Sequence, residues 1–535
     1  MLTETDSYDR LYRDFRWDIP PRFNMATACC DRHADGSKRL ALIYVDEDGG
    51  AKRTSFDEIR ACSSRFANVL KAAGLVRGDR VAVFLSQSLE LPIAHLAAWR
   101  SGLISVPLFA LFGEDALQFR LQNCAARAVV TDEGGWQKLS KIRDRLPELK
   151  HVYLTGRAEA GAKSFWSEIE QASEQFATVD TSCDDPAIII YTSGTTGNPK
   201  GALHAHRIVL GHLPNVEMVH GFFPKPGDVM WTPADWAWIG GLFDALFPAW
   251  YHGVPVVGHR ARKFDAAAAM QLMADHGVRV VFLPPTALKL MRQADVRHEG
   301  VKLRSMLSGG ESLGAELLDW VRLTFGIEVH EIYGQTECNL VVGCNSSLFP
   351  IRPGAMGKAT PGFDVRIVND KGEELPRGTR GIIGVRQPNP CTMIEYWRNP
   401  EATAKKYAGE FLLTGDLGRQ DEDGYFWYMS REDDVITSAG YRIGPSEIED
   451  TLLKHPAVAL SAVVGIPDPI RTEAVKAWIV LRPGFQASEQ LAREIQDFVK
   501  VQLAAHEYPR HVEFADSLPM TATGKVLRRE LRARG

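Results

Sequence analysis

The stretch of the chain best suited to chemistry is residues 191–201, which reads YTSGTTGNPKG. Its glycines let the backbone turn through positive φ and approach a ligand closely. Successive N–H groups in such a turn form a concave nest for an anion. Ser193, Thr195 and Thr196 add hydroxyl donors, and Lys200 adds a positive charge. The apolar, β-branched run at residues 187–190 predicts a buried strand directly before the loop, so the sequence predicts a phosphate-binding loop at a strand end.

Two widespread phosphate-binding patterns do not fit this stretch. It has neither the GK[ST] of a Walker A loop at the required spacing nor the G-x-G-x-x-G of a dinucleotide fingerprint. Because clusters of Gly, Ser and Thr are ordinary loop material, a flexible surface loop is the alternative interpretation. Four further motifs follow along the chain: YGQTE at 333–337, TGDLG at 414–418, SREDDVITSAGYRIGPSEIE at 430–449 and TATGK at 521–525.

With these five motifs in this order, the chain resembles the adenylate-forming (AMP-binding) superfamily of acyl-CoA synthetases, adenylation domains and luciferases. The resemblance covers nearly the whole chain. It is greatest to the medium-chain acyl-CoA synthetases, through FNMATACCDRHA at 23–34 and GIPDPIRTEAVKAW at 465–478. It implies that ATP activates a carboxylic acid as acyl-AMP with release of pyrophosphate, and that CoA then takes the acyl group with release of AMP. ATP and CoA are the implied co-substrates, and Mg²⁺ is the implied metal.

The resemblance assigns the nucleotide site residue by residue. Adenine would stack on Tyr333, a type of contact worth roughly 1–3 kcal/mol in base-stacking sites. Thr336 would hydrogen-bond the α-phosphate, and Glu337 would hold Mg²⁺, which suits one carboxylate with phosphates and waters. The implied ATP-binding residues are Thr192, Ser193, Gly194, Thr195, Thr196, Gly197, Lys200, Gly309, Gly310, Glu311, Tyr333, Gly334, Gln335, Asp416 and Arg431. A structural salt bridge is the alternative role for Lys200, and a surface acid is the alternative for Glu337.

Lys525 is the implied catalytic residue. It would point at the oxygen that joins the carboxyl carbon to the α-phosphate, where negative charge develops in the transition state. Arg442 would contact phosphate or substrate in the same state. Without the preceding TATG motif, the favoured interpretation of Lys525 would be a solvated lysine in the tail of the chain. The family commonly has proline-lysine shortly before this lysine, whereas this chain has Pro519 and Met520. Because Lys525 itself is intact, we expect activity to be retained.

The second half-reaction implies a rotation of the C-terminal domain, with its hinge at Asp433. Gly440 would then line the pantetheine tunnel, where a side chain would block the thiol. The implied CoA-binding residues are Ala439, Gly440, Tyr441, Arg471, Tyr508, Pro509 and Arg510. An acetyltransferase that modifies Lys525 is a further hypothesis, because acetylation would remove the charge.

The acyl pocket is predicted to be large. Acetate-selective relatives carry a tryptophan at the position of Gly334, and glycine leaves that space open. Trp236 is the predicted pocket wall, with Trp238 and Gly241 nearby, and core packing is the alternative role of the two tryptophans. Because each buried CH₂ contributes about 0.8 kcal/mol, we expect medium-length, branched or aromatic acids to be better substrates than acetate.

Composition excludes several classes of partner. The chain has 535 residues, 45% hydrophobic and 24% charged, with a net charge of −5, which gives no general attraction to nucleic acid or anionic lipid. No apolar run approaches the ~20 residues that span a bilayer. The eight cysteines form no C-x-x-C pair, as in a reducing compartment, so we predict a cytoplasmic enzyme. A homodimer is left open.

Alternating helix and strand patterns predict an α/β fold with parallel sheets. Residues 58–73 and 266–274 are predicted helices, and 80–85, 278–283 and 365–368 are predicted strands. Ser446 and Glu449 predict a capping box at the start of a helix over 447–453, and the arginines near the C-terminus predict a solvated helix face. We predict an N-terminal adenylate-forming domain over 1–432, with two parallel-type α/β sheets and a β-rich subdomain, and a small mobile α+β domain over 433–535.

Three functions are compatible with these motifs. The leading one is an acyl-CoA synthetase. The second is an adenylation enzyme that loads a separate carrier protein, which the CoA-like Arg471 argues against. The third is a nucleotide sensor on an inactive scaffold, which the joint presence of Glu337, Asp416, Arg431 and Lys525 disfavours.

Overall fold

The computed structural model describes residues 1–192, 199–261, 263–310, 313–438, 441–469, 471–503, 508–521 and 525–535. Cα packing divides these residues into two compact units. The first is formed by residues within 1–364 and 388–405, and the second by residues within 365–387 and 406–535. The predicted boundary after residue 432 concerns which part of the chain rotates, and it stays a prediction.

Two mainly parallel sheets form the described part of the first unit. One sheet has the strand order Glu395–Tyr396, Gly201–Ala205, Pro186–Tyr191, Ile104–Pro107, Arg80–Phe84, Ala128–Thr131, His151–Leu154 and Lys163–Ser164. The other has the order Ala355–Ala359, Val342–Gly343, Val329–Tyr333, Ser305–Gly309, Val280–Phe282, Met230–Trp231, Val256–His259, Leu40–Val45 and Ala51–Ser55. The predicted parallel α/β architecture is confirmed.

Helices cover these sheets. They are Tyr8–Asp14, Met25–Cys29, Phe56–Ala72, Glu90–Arg100, Glu114–Cys124, Glu133–Ile142, Phe165–Gln171, Ile208–Val219, Phe247–Tyr251, Ala266–Asp275, Pro285–Ala294, Ala315–Phe325 and Pro400–Ala404, with a π-helical stretch at Gly240–Leu246.

Local signals fix several helix starts. Asp265 accepts a hydrogen bond from the Ala268 N–H at 2.7 Å, which caps the helix Ala266–Asp275 as predicted. Ser55 and Glu58 form a capping box at the start of Phe56–Ala72.

Six histidines are buried in the described part of the first unit, including His220 and His330, and burial lowers the pKa of each. The pKa falls to about 3 for His95, His204 and His206 and to about 4 for His212. Both ring nitrogens of His95 lack a hydrogen-bond partner among the described residues, and its ring lies 5.5 Å from that of Trp99. The four imidazoles with these low pKa values are therefore neutral in the folded protein at pH 5, whereas in the unfolded chain they become protonated below about pH 6.5.

We expect the free energy of unfolding to decrease as pH falls below about 6.5, because the unfolded chain then binds more protons than the folded one. Each such histidine contributes about 1.4 kcal/mol per pH unit until its folded pKa is reached. The free energy of unfolding of the His95→Phe variant should depend less steeply on pH. Between pH 7 and pH 5 the variant should lose about 2 kcal/mol less of this free energy than wild type. Thermal unfolding at pH 7, 6 and 5 measures this, and an unchanged slope in the variant would contradict it.

The second unit contains an antiparallel β-rich part and an α+β part. The first consists of strands Val365–Val368, Gly381–Arg386, Tyr407–Ala408, Phe411–Gln420 and Phe426–Arg431. The second consists of strands Ile436–Ser438, Tyr441–Ile443, Val458–Asp468, Thr472–Leu481 and His511–Phe514 with helices Pro445–Leu452, Glu489–Gln502 and Arg528–Ala533. The β-rich subdomain that glycine-rich texture predicted is confirmed.

The predicted capping box of Ser446 and Glu449 is wrong. The helix Pro445–Leu452 begins with Gly444 as its N-cap, and no side chain caps it. Glu449 instead accepts hydrogen bonds from the Val463 N–H at 2.7 Å and from the Arg528 guanidinium at 2.6 Å. The Glu449 carboxylate, which local sequence assigned to the helix start, therefore forms a tertiary ion pair instead.

The predicted solvated face of the C-terminal helix is half wrong for the same reason. Arg529 and Arg534 are exposed. Arg528 pairs with Glu449 and Asp434, and Arg532 pairs with Asp434 at 2.9 Å. The facing carboxylates raise the pKa of the Arg528 guanidinium against the effect of burial. This side of the helix fixes the end of the chain to the rest of the C-terminal part.

The structure describes the state of the cysteines and the length of the apolar helices. All eight cysteines are unpaired, and burial raises the pKa of the Cys29 and Cys124 thiols to about 12. Among the described residues, no helix has both the length and the apolar character needed to cross a membrane.

Candidate nucleotide and acyl site

The glycine-rich loop is closed at its base by two antiparallel strands. Tyr191 is paired with Gly201, and the Thr192 N–H donates to the Lys200 carbonyl at 2.9 Å. The buried Tyr191 hydroxyl donates to Asn123 Oδ1 at 2.6 Å, which fixes the end of the first strand. The predicted phosphate-binding residues 193–197 lie outside the described residues, so their role stays a prediction. The buried strand predicted before them is present as Pro186–Tyr191.

Tyr396 connects the lysine of this loop to the acid of the YGQTE motif. Its hydroxyl donates to Glu337 Oε1, and the Lys200 ammonium lies 5.3 Å from the centre of its ring. The Met393 N–H donates to the Glu337 carbonyl at 2.9 Å. The two-residue strand Glu395–Tyr396, which pairs with Gly201–Ala205, holds the tyrosine in place. Lys200 and Glu337 therefore both lie beside one buried side chain, that of Tyr396.

The predicted adenine-binding residues lie at the carboxyl ends of neighbouring parallel strands. Gly309 ends the strand Ser305–Gly309, and Tyr333 ends the adjacent strand Val329–Tyr333. Gly310 follows with a φ of +100°, which favours glycine. Open α/β sheets bind ligands outside the carboxyl ends of their strands. Gly334, Gln335 and Thr336 follow Tyr333 in sequence, and the predicted Glu311 lies outside the described residues.

The two predicted ribose-binding residues meet in the second unit. Antiparallel pairing places Asp416 opposite Arg431, and the guanidinium Nη1 lies 3.1 Å from the carboxylate Oδ1. The Thr414 hydroxyl accepts the Asp416 N–H at 3.0 Å and fixes the backbone there. Asp416 is buried, so this carboxylate is held in one orientation. Two residues 15 positions apart in sequence thus form an ion pair, and their role in ribose binding stays a prediction.

Lys525 is joined to Thr521 by two hydrogen bonds. The Lys525 N–H donates to the Thr521 hydroxyl at 3.0 Å, and the Thr521 N–H donates to the Lys525 carbonyl at 2.6 Å. Met520 and Val526 pair as an antiparallel bridge around the turn. The departure from the family at Met520 therefore leaves the base of the turn intact. The side chain of Lys525 is exposed.

The predicted acyl-pocket residues have different environments. Trp236 is fully buried, and its ring lies close to Gly258. Its role as a pocket wall stays a prediction. Trp238 is half-buried, with Phe109 at 5.6 Å between ring centres.

A side chain at Gly334 or Gly241 would meet backbone. A Cβ atom on Gly334 would be 2.9 Å from the Asn339 Cα, and one on Gly241 would be 2.4 Å from the Asp235 carbonyl oxygen. The gap beside Gly334 is therefore partly filled by the following turn.

A cavity of about 300 Å³ lies elsewhere in the first unit. It is at the carboxyl ends of the strands Met230–Trp231 and Val256–His259, and Asp235 and Arg260 are among its lining residues. Burial raises the pKa of Asp235 to about 7. In the described part of the chain, none of the four predicted acyl-pocket residues lines this cavity.

Some of the predicted CoA-binding residues lie at two places in the C-terminal part. Arg471 is in the turn between Val458–Asp468 and Thr472–Leu481, where its N–H donates to Asp468 Oδ1 at 2.8 Å. Arg510 Nη1 donates to the Tyr508 hydroxyl at 2.6 Å, and Pro509 is buried between them.

Other predicted residues of this part are not fully described. Ala439 and Gly440 lie outside the described residues. Tyr441 and Arg442 are described only as part of the strand Tyr441–Ile443, and Asp433 only as part of the turn Glu432–Asp434. Their predicted roles stay predictions.

Comparison with known proteins supports the same classification. The model of the AMP-binding enzyme family matches residues 30–397, and that of the AMP-binding enzyme C-terminal domain matches 447–525. Mitochondrial acyl-coenzyme A synthetase ACSM3 of Mus musculus is 36% identical, covering 98% of this chain and 93% of the relative. Acetyl-coenzyme A synthetase of Bacillus subtilis is also 36% identical, covering 98% and 95%. The crystal structure of the anthranilate CoA ligase AuaEII in complex with anthranoyl-AMP has a TM-score of 0.88 at 28% identity, covering 97% of this chain and 98% of that one.

The fold and the site thus define an adenylate-forming enzyme. The chain belongs to the AMP-binding enzyme family, in its acyl-CoA synthetase group, and it is an AMP-forming acid–thiol ligase that uses ATP and CoA. Since similar relatives are mitochondrial, the predicted cytoplasmic location stays a prediction.

Sequence reasoning missed the residues that support the site from a distance. Tyr396 lies 59 positions from Glu337, in a strand too short to show a periodic pattern. Arg528 lies 79 positions from Glu449, and its arginine neighbours made it resemble a surface residue. One available signal was not used: Asp244 stands inside the apolar run LFDALFPAW at residues 242–250.

Proposed function

We propose that this ligase activates medium-length, branched or aromatic carboxylic acids in preference to acetate, with Mg²⁺ bound at Glu337. The observation that carries the proposal is the YGQTE turn. There Glu337 is held by Tyr396, and Gly334 stands where acetate-selective relatives have tryptophan. Loading of a carrier protein is the weaker alternative, because Arg471 and Tyr508–Arg510 match CoA contacts.

In the first half-reaction the residues of the motifs would bind and orient the nucleotide and neutralise its charge. Lys200 and the N–H groups of the glycine-rich loop would hold the β- and γ-phosphates, which leave as pyrophosphate. Tyr333 would stack on adenine, and the Asp416 carboxylate would accept hydrogen bonds from the ribose hydroxyls. The acid's carboxylate oxygen attacks the α-phosphorus, and the bond to pyrophosphate breaks. Lys525 would stabilise the negative charge on the oxygens of the reacting centre.

In the second half-reaction the CoA thiolate attacks the acyl carbon, and AMP leaves with the bonding electrons. Arg471 and Arg510 would bind the phosphates of CoA. Gly440 would let the pantetheine arm pass. Rotation about Asp433 would move Lys525 away from the reacting centre and bring the residues of this tunnel to it. A hinge of this kind needs one position that absorbs a large change in φ and ψ.

The environment of Glu337 fits Mg²⁺. One carboxylate oxygen accepts the Tyr396 hydroxyl, whereas no described residue donates a hydrogen bond to the other. Mg²⁺ takes one or two carboxylate oxygens together with phosphates and waters. The described residues contain no group of three acidic, histidine or cysteine ligands that could hold a metal.

Replacing Tyr396 with phenylalanine tests this assignment. The variant keeps the ring beside Lys200 but loses the hydroxyl that orients Glu337. We expect the Mg²⁺ concentration for half-maximal binding of an ATP analogue to rise by roughly tenfold, the value of one hydrogen bond to a charged group. Calorimetric titration of the analogue at several Mg²⁺ concentrations measures this, and binding without Mg²⁺ should not change. An equal loss with and without Mg²⁺ would show a general structural role instead.

An acid panel tests the proposed substrate class. The purified enzyme is given ATP, Mg²⁺, CoA and one acid at a time, and acyl-CoA is quantified. We expect kcat/KM to rise from acetate to hexanoate or benzoate, by about 0.8 kcal/mol of transition-state binding for each buried CH₂. Acetate as the best substrate by a wide margin would refute the pocket argument. Failure with free CoA but success with an acyl carrier protein would favour the alternative.

A further inference from the structure

A cavity of about 300 Å³ in the first unit has no counterpart among the predicted sites. None of the described residues that line it was predicted to bind the nucleotide, the acid or CoA. Small-molecule sites have volumes from about 300 Å³ upward. This cavity lies at the carboxyl ends of the strands Met230–Trp231 and Val256–His259, the edge at which open α/β sheets bind ligands. It therefore has the room and the position for part of a substrate.

The lining of the cavity combines apolar side chains with a charged surface. Trp231 and Leu272 are buried, and Phe264 is half-buried. Lys263 and Ala268 are exposed, so the cavity reaches the protein surface at these residues. The thiol arm of CoA is a chain of methylene and amide groups that ends in the thiol and carries phosphates at its other end. An apolar cavity with a cation at the surface suits such an arm.

Asp235 adds a carboxyl group to this lining. Its Oδ1 accepts the Ala237 N–H at 2.7 Å, which fixes the orientation of the side chain. No described residue donates a hydrogen bond to the other oxygen, Oδ2, and this oxygen is not among the unpaired polar atoms that are shut off from solvent. Asp235 therefore presents an unpaired oxygen that solvent can reach.

The charges around the cavity leave Asp235 without an ion partner in the described part of the chain. The other titratable residues of the lining are Glu47, His259, Arg260, Lys263 and Asp265. Arg260 pairs with Asp132 at 3.1 Å, on the side chain of another segment. Burial raises the pKa of Asp235 to about 7, and only the Ala237 N–H acts against it. At neutral pH this carboxyl can both take up and release a proton.

The segment that carries Asp235 also lies close to the predicted reacting centre. A Cβ atom on Gly241, a predicted acyl-pocket residue, would be 2.4 Å from the Asp235 carbonyl oxygen. The strand Met230–Trp231 pairs with Val280–Phe282, which pairs in turn with the strand that ends at Gly309. Neighbouring strands are about 4.8 Å apart, so roughly 10 Å separates the cavity's strand from that of the adenine-binding glycines. The cavity is therefore within the length of the CoA thiol arm from both predicted sites.

The thioester step needs a group that accepts a proton. A free thiol has a pKa of about 8.5, so at neutral pH only a small fraction of it is the nucleophilic thiolate. A general base is most effective when its own pKa lies near the working pH.

We propose that Asp235 is the general base of the thioester step, with the thiol end of CoA bound in this cavity. The S–H proton passes to Asp235 Oδ2 while the sulfur attacks the acyl carbon. The bond from the acyl carbon to the phosphate oxygen breaks, and AMP leaves with the bonding electrons. Asp235 then releases the proton to water. The inference goes beyond the proposed function, because it holds for any acid that the enzyme activates.

The Asp235→Asn variant tests the role of the carboxyl, because its amide oxygen can still accept the Ala237 N–H. The acyl-AMP of the best acid is added with CoA, and acyl-CoA is measured from pH 6 to pH 9.5. At pH 7 we expect thioester formation to slow by about 10²-fold, a usual contribution of a general base. The loss should shrink to roughly a few-fold above about pH 9, where the thiol ionises without help. Formation of acyl-AMP should not change.

A second variant tests the occupant of the cavity. Ala268→Trp places a large side chain in the cavity from an exposed position of the helix Ala266–Asp275. We expect the KM for CoA to rise by about tenfold, a loss of ~1.4 kcal/mol of binding, and the KM for the acid to stay the same. The matched control is Ala267→Trp, on an exposed neighbour that is not part of the lining, and it should change neither KM.

Three results would contradict these expectations in different ways. A wild-type rate of the Asp235→Asn variant at pH 7, or a loss that is the same at every pH, would overturn the role of Asp235. A rise in the KM for the acid in place of that for CoA in Ala268→Trp would overturn the assignment of the cavity to the thiol arm. Absence of acyl-AMP with every acid would instead overturn the proposed function.

Discussion

Replacing Lys525 with alanine is expected to slow acyl-AMP formation by about 10²–10³-fold, the effect of removing one preorganised charge from a transition state. The lysine is exposed in a turn closed by Thr521, so its loss should leave the fold intact. Thioester formation from added acyl-AMP and CoA should stay close to the wild-type rate, because Lys525 has no role in that step. Pyrophosphate release and acyl-CoA formation, measured separately, give the two rates.

The matched control is Arg529→Ala, which removes an exposed positive charge four residues away and should change neither rate. Enzymatic acetylation of Lys525 should have the same selective effect as the alanine variant. An equal decrease of both half-reactions would show that Lys525 supports the structure of the C-terminal part and does not act in adenylation.

Replacing Arg528 with methionine is expected to destabilise the C-terminal part by about 3 kcal/mol, because it leaves the Glu449 carboxylate buried without its partner. The two side chains are 22% and 14% exposed, which places the effect at the low end for a buried pair. Arg528 begins the helix three residues after Lys525, so the catalytic turn loses its anchor as well. Adenylation should therefore decrease more than thioester formation.

Hydrogen–deuterium exchange measures this effect locally. Peptides from Arg528–Ala533 and Val458–Asp468 should exchange roughly 100-fold faster in the variant, since 1.4 kcal/mol corresponds to a factor of ten. The double variant Arg528→Met with Glu449→Leu should recover most of the protection, because removing both charges is often neutral or stabilising. Unchanged exchange in the single variant would mean that water already screens the pair.

Local patterns predicted much of this fold. The helix Ala266–Asp275 has the predicted start and cap because Asp265 caps it within three residues. The strand Val365–Val368 has its predicted bounds, since it ends in turn residues on both sides. The motifs assigned Asp416 and Arg431 to one ribose site, and a single antiparallel pairing places the two residues opposite each other.

The remaining features depend on contacts between distant residues. Glu449 had a local partner in sequence and a stronger one in Arg528, and only the fold decides between them. Tyr396 reaches Glu337 because the chain returns to pair beside Gly201–Ala205. The sequence around Trp236 fits a pocket wall and a core residue equally, and its close approach to Gly258 is set by the fold.

The central claim is that one enzyme makes an acyl adenylate and then passes the acyl group to CoA. The most direct test incubates the purified protein with ATP, Mg²⁺ and a good acid, without CoA, and analyses the products by mass spectrometry. We expect acyl-AMP and pyrophosphate, with acyl-AMP at about one equivalent on the enzyme, and its conversion to acyl-CoA and AMP when CoA is added. Release of ADP and phosphate, or acyl-CoA formation that bypasses acyl-AMP, would contradict the account.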